Sequence, residues 1–114
     1  MYYGEQMPDQ VAVIAVWFPA NSFIRDVPGF GNRISVPLLI FAGGKDHYRK
    51  ECCTADKDMA LADAAHTAGK MFELTIYPDA EHDFNKGGTN YNAKASADAF
   101  QKTADALMKY FPPN

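Results

Sequence analysis

The sequence predicts an α/β protein with a three-stranded, mainly parallel sheet and two main helices, and three observations carry that expectation. Residues 11–18 (VAVIAVWF) and 36–42 (VPLLIFA) are apolar nearly throughout and rich in β-branched side chains. Strands buried on both faces look like this, whereas half-exposed strands alternate. Residues 72–77 (FELTIY) form a third strand-like run. Helical patterns follow the second and third runs, and strand–helix–strand order with right-handed crossovers makes a parallel sheet.

The elements follow in order. Pro19 ends the first strand. Residues 20–34 carry Asn, Pro and Gly without a period, so they read as a loop, long for a compact domain. Pro37 is tolerable near the start of the second strand, and Gly43-Gly44 breaks that strand. Thr54 is placed to cap a helix, with Asp56 and Asp58 in the first turn favouring its dipole. Met59, Ala62, Ala65 and His66 recur at helical spacing, and Gly69 supplies a left-handed stop. After the third strand, Ala93, Ala97, Phe100, Ala104, Leu107, Met108 and Phe111 repeat at i, i+3 and i+4. That is the clearest helix in the chain, and Pro112-Pro113 closes it.

Two helices cannot cover both faces of such a sheet, and its open edges invite pairing. Completion by dimerisation, giving a homo-oligomer, is therefore expected. Residues 1–6 (MYYGEQ) can add a short edge element.

The bulk properties exclude several classes. A chain of 114 residues fits one domain, 1–114. The net charge is −3 and no Lys/Arg cluster stands out, which argues against a nucleic-acid partner. The longest apolar runs are too short to span a bilayer, so no membrane partner is expected. The N-terminus lacks the basic start and apolar middle of a signal peptide. Cys52 and Cys53 are adjacent, a spacing that rarely closes a disulfide, and the usage fits a reducing compartment. Together these point to the cytoplasm.

Functional groups of open parallel sheets collect beyond the carboxyl ends of the strands. Asp46 follows the second strand in GGKDH, and His82 follows the third in AEHDF. A carboxylate beside a histidine fixes the ring tautomer and stabilises the imidazolium, as a general base requires. Asp before His is also the order in α/β-hydrolase triads. The alternatives are a turn aspartate and a solvated loop histidine between Glu81 and Asp83.

From about Ile34 to Phe111 the chain resembles the C-terminal part of the dienelactone hydrolase family of α/β hydrolases. The matching residues are VPLLIFAGGKD (36–46), FELTIYPDAEHDF (72–84), Asn85, Tyr91 and the last helix ending in KYFP. VAVIAVWFP is similar to the preceding family strand. The resemblance implies a partial α/β-hydrolase fold with Asp46 as triad acid and His82 as triad base. It implies hydrolysis of a small ester or lactone by acyl transfer, with no cofactor.

The family's serine or cysteine elbow, G-x-S-x-G or G-x-C-x-G, has no match. Ser22, Ser35, Ser96, Cys52 and Cys53 all lack the flanking glycines. The expected function is thus a hydrolase fragment carrying acid and base, with the nucleophile from another chain or an upstream segment. The alternative is an inactive, self-associating or ligand-binding domain. His47, His82, Cys52 and Cys53 match no standard zinc spacing, so no metal is expected. His66, Trp17 and Phe18 read as packing residues. Tyr48 and Arg49 read as a solvated loop or as contacts to an anionic substrate.

Overall fold

The computed structural model describes residues 11–111. The edge element expected at residues 1–6 and the closing Pro112-Pro113 fall outside them. Three parallel strands form one sheet: β1 (Ile14–Trp17), β2 (Leu38–Gly43) and β3 (Phe72–Tyr77), in the order β1-β2-β3. Ile14 pairs with Leu38, and Leu38 with Phe72, so all three strands end on one rim.

All six residues of the central strand β2 are buried, and pleating sends them alternately to two cores. Leu38 and Ile40 join Phe30, Ile34, Leu61, Ala62, Ala65 and Phe72 in one core. Leu39 and Phe41 join Ala80, Phe84, Ala95, Ala99 and Ala106 in the other. Ile40, Phe41, Leu61 and Phe84 are fully buried, and each contributes about 1.5–3 kcal/mol of transfer free energy.

Among the described residues three helices cover the sheet, the two main ones expected and a short one before them: α1 (Val27–Arg33), α2 (Ala55–Thr67) and α3 (Ala93–Tyr110). The residues supplying the two cores place α1 and α2 on one face and α3 on the other. Helix α1 lies inside the segment expected to be a loop. Gly29 and Gly31 hide its pattern, but Asp26 caps it by accepting from the Gly29 N–H at 3.0 Å, and Pro28 sits in its first turn. Cap and proline together are a helix-start signal. A Cβ at Gly31 would lie 2.6 Å from the Ala64 carbonyl oxygen, so the glycine permits close packing on α2.

Helix α2 begins after Thr54 as expected, without a side-chain cap bond, and stops at Gly69, whose φ is +72°. Its buried stripe is Asp58, Leu61, Ala62 and Ala65, whereas Met59 is exposed. Helix α3 has its expected length but the opposite orientation. Ala95, Ser96, Ala99 and Ala106 face the core, while Phe100, Leu107, Met108 and Phe111 face out. The small alanine face lets the rings of Phe41 and Phe84 fill the space between helix and sheet. Trp17 also ties β1 to α3, donating its Nε1–H to Thr103 Oγ1 at 3.2 Å.

Candidate active site

The turns after β2 and β3 are stitched together by backbone hydrogen bonds. Gly44 N–H donates to the Tyr77 carbonyl at 2.8 Å, and Lys45 N–H to the Ala80 carbonyl at 2.9 Å. The two glycines make this approach possible. A Cβ on Gly43 would lie 2.5 Å from the Ala80 oxygen, and one on Gly44 2.8 Å from Pro78 Cα.

Asp46 and His82, 36 residues apart, meet on this rim. His82 Nδ1 and Asp46 Oδ2 are 2.8 Å apart. Asp46 Oδ1 accepts the Tyr48 N–H at 3.0 Å. The Asp46 side chain is fully buried and that of His82 is 23% exposed. An ionised carboxylate can only accept, so in the neutral ring the proton sits on Nδ1 and the lone pair on Nε2. The arrangement orients an imidazole to take a proton through Nε2 and stabilises the cation that results.

Aromatic rings hold the imidazole. Tyr48 stacks on it at 4.4 Å between centroids and 10° between planes, and Phe18 tilts against it at 5.1 Å. The Arg49 guanidinium lies 5.5 Å from the Tyr48 ring centre. The sequence reading placed Tyr48 in a loop and missed this contact. Its signal was an aromatic residue two positions after the aspartate. Phe18 takes a φ of 40°, an outlier for a bulky side chain. Its N–H donates to Phe41 O at 2.7 Å and its ring packs edge-on to Phe84, so the surroundings fix that conformation.

Among the described residues, it is Asp46 and not the adjacent Asp83 that hydrogen-bonds the His82 ring. Asp83 turns back at φ 67° and accepts the Thr89 N–H at 2.9 Å. Hydrogen bonds from Thr89 hold its carboxyl below the ordinary range. Asn90 Nδ2 donates to the His82 carbonyl at 2.8 Å, closing the loop. Tyr77 at the end of β3 donates its hydroxyl to Asp98 at 2.6 Å. Burial, then that carboxylate, pushes the Tyr77 phenol well above its ordinary value.

A second buried polar cluster lies beside the pair. Asn21, fully buried after β1, donates Nδ2 to the Thr54 carbonyl at 2.9 Å and to Asp58 Oδ1 at 2.8 Å. Among the described residues, Asn21 Oδ1 and Asp58 Oδ2 have no hydrogen-bond partner. Burial raises the Asp58 carboxyl to about 6; the Asn21 bond opposes this and the Asp46 charge adds to it. Neither residue was singled out from sequence, where Asp58 read as a helix-dipole residue.

The cysteines correct the sequence reading: Cys52 and Cys53 are joined as a vicinal disulfide. The case they made for a reducing compartment is therefore withdrawn. No helix of the described residues is long and apolar enough to cross a membrane. Ser96 Oγ accepts the Lys86 N–H at 3.1 Å, and the Ser22 backbone N–H donates to the Cys52 carbonyl at 3.1 Å. His66 bonds the Phe72 carbonyl, consistent with a packing role. For a metal, ligand atoms of Asp46, Cys53 and His82 lie within 4.8 Å of one another. The zinc set weighed from sequence included His47 and Cys52 in place of Asp46.

The sequence profile of the dienelactone hydrolase family matches residues 1–111. The chain belongs to the dienelactone hydrolase family. No curated protein matches it in sequence. Among solved structures it is similar to a provisionally assigned dienelactone hydrolase from Klebsiella pneumoniae subsp. pneumoniae MGH 78578. The TM-score is 0.79 at 20% identity, over 96% of this chain and 46% of that one. It is also similar to Thermogutta terrifontis esterase 2 phosphorylated by paraoxon (TM-score 0.65, 18% identity, 96% and 45% covered). The same esterase phosphoramylated by tabun gives 0.66 at 19% identity, with 96% and 46% covered. This family member thus spans a little under half the length of these structures, and its three parallel strands with three helices form a partial α/β-hydrolase fold.

Proposed function

We propose that this dienelactone hydrolase family chain corresponds to the C-terminal part of an ester or lactone hydrolase and supplies its acid and base. The observation that carries the reading is the 2.8 Å bond between His82 Nδ1 and the buried Asp46. In this reading His82 Nε2 takes the proton of a serine or cysteine nucleophile and later returns it to the leaving group. Asp46 holds the ring and stabilises its cation. The nucleophile and its oxyanion-hole N–H come from another chain or segment, because Ser22, Ser35, Ser96, Cys52 and Cys53 lack the glycine-flanked elbow.

Hydrolysis of a p-nitrophenyl ester tests this. The chain is assayed alone and after mixing with a segment bearing a G-x-S-x-G or G-x-C-x-G elbow. Activity is expected with that segment, with a loss of about 10⁶-fold in His82→Ala and about 10⁴-fold in Asp46→Asn. Rates that stay at background, unchanged by His82→Ala, count against it.

One observation favours a second reading, a hydrolase-derived domain that self-associates without catalysis. The α3 face bearing Phe100, Leu107, Met108 and Phe111 is exposed, and a contiguous apolar face is a docking surface by default. A homodimer formed there is compatible with either reading.

A further inference from the structure

We propose that the chain, once its Cys52–Cys53 disulfide is reduced, binds one zinc ion through Asp46, Cys53 and His82. Ligand atoms of these residues all lie within 4.8 Å of one another. Zinc binds thiolate at about 2.3 Å and imidazole or carboxylate at about 2.0–2.2 Å, so donors of a tetrahedral site stand roughly 3.3–3.8 Å apart. The Asp46–His82 contact at 2.8 Å must open slightly and the sulfur must draw in by about an ångström. Rotation of the freed Cys53 side chain provides that movement. Thiolate, imidazole and carboxylate together select zinc over magnesium or calcium, which prefer oxygen ligands alone.

The site is built before the ion arrives. Asp46 and Cys53 are each 1% exposed, so both donors are already withdrawn from water. His82 is partly exposed and leaves a path from solvent and a fourth position for water. The cysteine turn is anchored independently of the disulfide. The Cys52 carbonyl accepts N–H groups of Asn21 and Ser22 at 2.8 and 3.1 Å, and the Cys52 N–H donates to Tyr48 O at 3.3 Å. Reduction therefore frees the sulfur without releasing the backbone.

Disulfide and metal exclude each other. A phosphine reductant breaks the S–S bond, takes its oxygen from water and leaves two thiols. Zinc then displaces the proton of the Cys53 thiol, which passes to solvent, and binds neutral His82 through Nδ1, whose proton moves to Nε2. The ion occupies the groups that the hydrolytic reading uses, but the proposal does not rest on that reading.

Zinc affinity is measured by competition with a chromogenic chelator, on wild type with and without phosphine. Cys52→Ser is measured without reductant and Cys53→Ser with it. Expected are one zinc per reduced chain, at least about tenfold weaker binding to the oxidised chain and to Cys53→Ser, and wild-type reduced affinity in Cys52→Ser without reductant. Cobalt in place of zinc is expected to show a thiolate charge-transfer band in Cys52→Ser, which cannot form the disulfide. Binding by Cys53→Ser equal to reduced wild type overturns the proposal. So does equal weakening in Cys52→Ser, which would mean a dithiol chelate, and so does a cobalt complex of Cys52→Ser without the thiolate band.

Discussion

Asp58 shows how one buried side chain sets a pH dependence. Its carboxyl titrates at about 6 in the fold, against an ordinary 3.8, chiefly because of burial. Between these values the folded chain holds a proton that the unfolded chain has released. Stability therefore falls as pH rises from about 4 to about 6 and is level above that, a loss of about 3 kcal/mol from this group. Asp58→Asn removes the charge, and its amide NH₂ can serve the unpartnered Asn21 Oδ1. Urea unfolding at pH 4 and pH 7 is expected to show the variant roughly 2–3 kcal/mol more stable at pH 7 and little changed at pH 4. An equal shift at both pH values would assign the effect to packing. Local sequence did not disclose this residue, since an aspartate in a helix's first turn ordinarily faces water. Asp46 and His82 were legible because each follows a strand run at a fixed offset.

At the scale of elements, the site is positioned by contact between two turns. Gly43 sits where a Cβ would meet backbone rather than a movable side chain. Gly43→Ala is expected to cost about 1–3 kcal/mol by overpacking and to part the Asp46 and His82 turns. Thermal unfolding reports the first effect. The nitrogen chemical shifts of His82 report the second, through loss of the single Nδ1–H tautomer. Strand β2 was readable because a fully buried strand leaves an unbroken apolar run. Helix α1 was not, because its glycines and proline imitate a loop while serving close packing on α2. Helix α3 was found but turned the wrong way. Periodicity marks the bulkiest apolar face, whereas the sheet's rings left room only for alanines.

For the whole molecule, the outward face of α3 and the partial fold bear on association. In the self-association reading, Phe100, Leu107, Met108 and Phe111 are buried between two copies. Light scattering at micromolar concentration is then expected to give a dimer for wild type and a monomer for Leu107→Glu/Met108→Glu. A monomeric wild type, or a double variant that still dimerises, removes this face as the interface.

The sequence by itself determined the parallel α/β architecture, the family and the two residues that meet on the rim. These depend on local patterns: apolar runs, glycine breaks and residues at set distances beyond strand ends. Tertiary structure alone decided which carboxylate partners His82, that Tyr48 stacks on it and that Asn21 reaches Asp58. It alone decided which face of α3 is covered. Each of these is a contact between segments far apart in the chain or a choice between faces of one helix. Such choices are set by the volume and hydrogen-bonding groups of the neighbours, which no local pattern contains.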